Sequence, residues 1–130
     1  MPTDGPARPD PKEKPRGARR YRRTVASPKQ WQAIIAAKVG PCRICGDPGT
    51  NGRMYGRIHF HHVVARGDSG ADTADNIVPL CPGCHDQVTR RELLACAILC
   101  ASLTDAEYSY AIEQGGEGYL ERRYGIRYVR

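Results

Sequence analysis

Apolar and polar positions divide the chain into a stretch without periodicity and a stretch with several patterns. Residues 1–20 hold five of the ten prolines and almost no large apolar residue. Such a segment cannot bury enough surface to offset the entropy of ordering, so a disordered arm is expected over residues 1–26. From residue 27 a helical pattern begins. Ser27-Pro28-Lys29-Gln30 has the form of a capping box with proline at the first helical position. Trp31, Ile34 and Ile35 then make an apolar stripe, and Gly40-Pro41 ends it. Residues 46–53 are rich in Gly, Pro, Asn and Asp and read as loop. Residues 54–64 read as a strand, strongest over Arg57–Val64, from their β-branched and aromatic content. Arg66–Asp75 is polar, with two glycines and three aspartates, and is expected to be an exposed loop. Asn76–Leu80 is a second, short strand. From Cys84 or His85 the pattern turns helical, with Val88, Leu93, Leu94, Ala97 and Ile98 on one side. Thr104-Asp105-Ala106-Glu107 is another capping box. It opens a helix through Ile112, stopped by Gly115-Gly116, and Glu117–Tyr124 gives one more short helix before a basic aromatic tail. This order predicts a small α+β fold with flanking helices.

The 130 residues suit one small domain with tails. A core this small often needs a staple. The net charge of +6 is unevenly placed: residues 1–30 hold nine Lys/Arg against three acidic residues, and the other hundred hold eleven of each sign. A basic arm on a neutral body points to a polyanion such as DNA, or else to a solubilising linker. Within the arm, Arg19, Arg20, Arg22 and Arg23 surround Tyr21, a cluster suited to phosphate contact and stacking. No run of eighteen apolar residues exists, so no membrane span is expected. No apolar leader opens the chain. A cytoplasmic location is expected, and there paired cysteines bind metal more often than they form disulfides.

Those cysteines are regular. Cys42-x2-Cys45 and Cys81-x2-Cys84 form two hooks, the way a chain presents four thiolates at tetrahedral angles, and a structural zinc is expected there. Cys96 and Cys100, four apart on an apolar helix, read as small core residues. All four histidines fall between or beside the hooks: His59, His61, His62 and His85. Neighbours on a strand project to opposite sides, so one of His61 and His62 can bind metal while the other stays free as a base. His85 follows Cys84 at a helix start, about 100° around the axis from it, so it can face away from the zinc. His59 shares a strand face with His61 and reads as an exposed or packed bystander.

The arrangement Cys-x2-Cys … His-His-Val-Val-Ala-Arg-Gly … Asp-Asn-Ile-Val-Pro-Leu-Cys-x2-Cys-His resembles the HNH endonucleases, over roughly Pro41 to Arg90. The resemblance implies a ββα-metal (His-Me finger) core stapled by the four-cysteine zinc site. It places an HNH nuclease domain over 27–130, with its core at 41–100 and a helical extension at 101–130. It implies His62 as general base and His61 and His85 as ligands of one catalytic divalent ion, Mg²⁺, Mn²⁺, Ni²⁺ or Zn²⁺. Asn76 would position the loop and His62 or join the metal shell. Arg66, Arg90 and Arg91 are candidates for phosphate contact beside the arm. Where some members carry a further histidine one turn after the last, this chain has Thr89. The implied activity is DNA hydrolysis, by nicking or double-strand cleavage, to a 5′-phosphate and a 3′-hydroxyl. A monomer is expected. The resemblance to small phage-encoded members suggests phage DNA processing or packaging beside terminase subunits, in the host cytoplasm. The alternatives are a non-catalytic zinc module that holds DNA, and an assembly or transcription factor whose zinc core docks a protein.

Overall fold

The computed structural model describes residues 25–48 and 57–126. The expectations for the basic arm, including Arg19, Arg20, Arg22 and Arg23, and for the C-terminal tail lie outside them, as does part of the loop and strand expected over 46–58.

Helix α1 spans Pro28–Lys38 and starts as its residues dictate. The Ser27 hydroxyl accepts from the Gln30 amide, and the Gln30 side chain accepts from the Ser27 amide. Strand β1, His59–His62, pairs antiparallel with β2, Ile77–Leu80, in the register His59↔Leu80, Phe60↔Pro79, His61↔Val78 and His62↔Ile77. The first strand is shorter than its composition suggests. At Val63 the chain leaves the ladder and enters a loop that folds back on the sheet.

Helix α2, Pro82–Thr89, follows β2 directly and completes the ββα unit. The expected single helix after Cys84 is in fact two. Arg91 adopts a left-handed conformation (φ 60°) and breaks the chain, so α3 spans Leu93–Ala101 on a new axis. The break also rotates the apolar stripe. Ala95, Cys96, Leu99 and Cys100 are buried, whereas Leu93 and Leu94 are 66% and 73% exposed. Cys96 and Cys100 thus pack as small core residues. Helix α4, Asp105–Gly115, carries the second capping box, Thr104 with Glu107, and α5, Tyr119–Tyr124, closes the fold.

One core runs from Val63, Val64, Val78 and Leu80 through Val88 and Leu99 to Leu103, Leu120 and Tyr124. A buried ion cluster joins its edge. Glu107 is fully buried, and its carboxylate accepts two bonds from the Arg43 guanidinium, each 2.8 Å, and one from the Lys38 ammonium. It ties α1, the first cysteine hook and α4 together. Among the described residues, no helix is long and apolar enough to cross a membrane.

Candidate metal centre and active site

The two cysteine hooks converge. The sulfurs of Cys42, Cys45, Cys81 and Cys84 all lie within 4.8 Å of one another. A zinc ion at about 2.3 Å from four tetrahedral sulfurs sets them about 3.8 Å apart, and the Cys45 and Cys81 sulfurs are 3.7 Å apart. The backbone is shaped for thiolates: the Ile44 amide donates to Cys42 Sγ and the Cys84 amide to Cys81 Sγ, both at 3.4 Å. Gly46 takes the left-handed conformation (φ 79°) that the first hook requires. Burial works against ionising Cys42, but amide donors from Cys45, Cys81 and Ile44 outweigh it and bring the thiol down to about 7. Burial and neighbouring sulfurs push Cys84 up. Without a cation the cluster favours one thiolate over several, and a bound dication reverses that preference. The Arg43 amide donates to the Pro79 carbonyl, so the first hook is also pinned to β2.

The pleat of β1 separates the histidines into two pairs of surroundings. His59 and His61 share one face, Phe60 and His62 the other. On the first face His85, from the start of α2, meets both: its ring centroid is 5.1 Å from that of His59 and 5.1 Å from that of His61. His59 Nδ1 and His85 Nδ1 are 2.9 Å apart. His61 is buried, and its Nε2 lies 2.9 Å from the Tyr124 hydroxyl. Burial above all, then Arg123, His85 and His62 nearby, push its pKa well below the ordinary 6.5. Burial, His59 and Arg123 lower His85 likewise. Both are therefore neutral imidazoles at neutral pH, the form that ligates metal.

On the second face His62 lies parallel to Trp31, centroids 6.0 Å apart and planes 6° apart. Its Nε2 is 2.8 Å from Asp72 Oδ1 and 3.4 Å from Arg66 Nε; the carboxylate can only accept and is the much nearer partner, so this nitrogen carries a proton and donates to Asp72. Nδ1 is left as the acceptor. Asp72 is fixed in turn, since Oδ2 accepts from the Ala26 amide at 3.1 Å. Burial opposes its charge, but His62, the Ala26 amide and Arg66 hold its pKa below the ordinary carboxylate value. Burial lowers His62 despite the opposing pull of Asp72.

The segment between the strands is exposed at Arg66, Gly67, Asp68 and Asp75, but not throughout as its polarity suggests. Ser69, Gly70, Ala71 and Asp72 are buried. Asn76, fully buried, helps hold it: its Oδ1 accepts from the Val64 amide at 2.7 Å, and its Nδ2 donates to the carbonyls of Val64 and Ala71, each at 3.0 Å. From α4 the Tyr110 hydroxyl accepts from the Ala71 amide at 2.9 Å, and Gln114 Nε2 donates to the Ser69 carbonyl at 2.7 Å. Gly70 passes so close to the chain leaving β1 that a Cβ there would sit 1.8 Å from the Val64 oxygen.

Residues 42–91 match the family model described as HNH endonuclease. Over those residues the chain is similar to the HNH endonucleases. It is also 38% identical over 64 residues to the type IV methyl-directed restriction enzyme EcoKMcrA of Escherichia coli strain K12, across 46% of this chain and 22% of that protein. The chain thus spans about a fifth of that relative's length. No solved structure matches.

Within the matched residues the candidate arginines have unequal settings. Arg66 is exposed, with Nε 3.6 Å from Asp72 Oδ1, beside His62. Arg90 pairs with Asp86 and Glu92, and Arg91 donates to the Arg122 carbonyl. The sequence does not mark three residues that touch the histidines: Asp72, Tyr124 and Trp31. Asp72 was hidden in a segment whose composition reads as loop. His59 was visible as a strand-face neighbour of His61, and only its distance from His85 was not. Tyr124 lies 63 positions from its partner, a separation no local pattern reports.

Proposed function

We propose that this chain is a metal-dependent DNA endonuclease that hydrolyses phosphodiester bonds to a 5′-phosphate and a 3′-hydroxyl. One observation carries the reading. The first strand turns His61 toward His85 and His59, and turns His62 toward an orienting carboxylate, so a ligand face and a base face lie one residue apart. That is the division of labour a one-metal phosphodiesterase needs.

In this reading Cys42, Cys45, Cys81 and Cys84 hold a structural zinc that keeps α2 in register with the strands. His61 and His85 would hold the catalytic ion, and His59, with its Nδ1 2.9 Å from His85 Nδ1, would orient the His85 ring. A divalent ion there supplies Lewis acidity to the scissile phosphate and the leaving 3′-oxygen. His62 removes a proton from water at Nδ1, while Asp72 keeps its Nε2 protonated and its ring in place. This is the orienting third group that an activated base commonly has. Asn76 acts as a positioner: its amide is committed to the backbone that carries Asp72. Arg66, exposed beside His62, contacts phosphate, with Arg90, Arg91 and the basic arm as further contacts.

Restriction, as in the Escherichia coli relative, and phage DNA processing beside terminase subunits are both roles such a centre can serve. Gene neighbourhood separates them. The enzyme reading is tested by incubating zinc-loaded protein with supercoiled plasmid. Nicking with added Mn²⁺ and none from the same zinc-loaded protein without it supports it. DNA binding without cleavage under Mg²⁺, Mn²⁺ and Ni²⁺ supports instead a non-catalytic zinc module that holds DNA.

A further inference from the structure

His61 Nε2 and the Tyr124 hydroxyl are 2.9 Å apart, and the same hydroxyl donates to the Val63 carbonyl at 2.7 Å. A hydroxyl has one proton to give. The Val63 oxygen cannot donate, so that bond consumes the proton. The contact with His61 is then a hydrogen bond only if the imidazole donates. Both bonds are satisfied together by one assignment: His61 carries its proton on Nε2, and the Tyr124 oxygen accepts it. His61 Nδ1 is then left with a free lone pair, and it has no hydrogen-bond partner among the described residues.

The surroundings leave little freedom to escape this assignment. His61 is 4% and Tyr124 1% exposed, so water does not substitute for either partner. The Val63 carbonyl also accepts from the Arg123 guanidinium, which fixes the acceptor that orients the Tyr124 hydroxyl. Tyr124 itself is anchored in the core with Leu120 and Leu99.

From this chain of bonds we infer that Tyr124 is a positioning residue that locks His61 as the Nε2–H tautomer and so makes Nδ1 its metal-binding nitrogen. Tyr124 sits in α5, outside the matched residues 42–91, so a C-terminal helix orients a ligand rather than merely covering it. The inference rests on the ligand role proposed for His61. A partner on the far nitrogen of a ligating imidazole commonly sets both tautomer and basicity, and its loss costs about 10- to 100-fold in metal affinity.

The test uses the full chain, loaded with zinc and labelled with ¹⁵N-histidine. Long-range ¹H–¹⁵N correlation spectra should show His61 protonated on Nε2 before any second metal is added. Mn²⁺, a hard ion that competes poorly for thiolates, is then titrated calorimetrically into wild type, Tyr124→Phe and His61→Ala. Tyr124→Phe keeps the ring in the core and is expected to weaken Mn²⁺ binding by about 10- to 100-fold, with zinc content unchanged. If His61→Ala abolishes Mn²⁺ binding while Tyr124→Phe leaves it unaltered, the inference is overturned alone. If His61→Ala also binds normally, the ligand assignment beneath it fails. Should Tyr124→Phe not fold, the wild-type spectrum decides: a His61 proton on Nδ1 overturns the inference.

Discussion

Glu107→Gln tests how the first cysteine hook is held. The carboxylate is fully buried, and both oxygens are committed. Oε1 accepts from Arg43 Nη1 at 2.8 Å and from the Thr104 amide at 2.9 Å. Oε2 accepts from Arg43 Nη2 at 2.8 Å and from Lys38. Burial alone would raise its pKa, but Arg43 and then Lys38 bring it down from 4.5 to about 2. At about 1.4 kcal/mol per pH unit, this corresponds to about 3 kcal/mol of stability. Because the folded pKa is depressed, that contribution is complete above about 4.5 and is lost as pH falls through about 2. Glutamine keeps the shape, removes the charge and turns an N–H₂ group toward the cations. Removing one member of a buried pair costs about 3–5 kcal/mol. Lys38 and Arg43 keep 15% and 23% side-chain exposure, which favours the lower end. Urea unfolding at pH 7 should therefore show a loss of about 3 kcal/mol, a midpoint about 1–2 M lower. A loss below about 1 kcal/mol at pH 7 would refute the reasoning.

Three further outcomes are expected. Gly70→Ala should destabilise by about 1–3 kcal/mol or more, as overpacking against backbone does, and should lower cleavage because the loop carries Asp72; unchanged thermal unfolding would contradict the close approach to Val64. Cys42→Ser should abolish stoichiometric zinc and cooperative unfolding, whereas isolation of folded wild type free of zinc would remove the staple from the account. Burial lowers the His62 pKa, so the acid limb of cleavage should fall below pH 6.5. Asp72 pulls that pKa upward, so Asp72→Asn should move the limb further down while reducing the rate at neutral pH; a limb that stays in place would disconnect Asp72 from the base.

What the sequence disclosed and what it hid follow from the physics of each signal. The cysteine hooks and the capping boxes Ser27–Gln30 and Thr104–Glu107 are local, with spacing set by a few dihedral angles, and they appear where expected. The opposite projection of His61 and His62 follows from the strand pleat alone. The break between α2 and α3 was hidden because Arg90 and Arg91 are ordinary helix residues, and the left-handed Arg91 is imposed by tertiary packing. Leu93 and Leu94 were accordingly assigned to the wrong face. Residues 69–72 appeared exposed because they are small and polar. They are held by side chains distant in sequence, Tyr110 and Gln114, and by Asn76, which resembles a loop residue until its partners are known. Glu107 announced itself as a cap, but not as the centre of an ion cluster.

The central claim is that His62 is the base and the zinc site only holds the frame. The most direct measurement is the single-turnover rate of plasmid nicking at saturating Mn²⁺, for wild type and His62→Ala matched in zinc content, Mn²⁺ affinity and DNA affinity. The account predicts a rate at least about a hundredfold lower for the variant, within the roughly 10²–10⁴ that a general base contributes. Equal rates from the two proteins would contradict it.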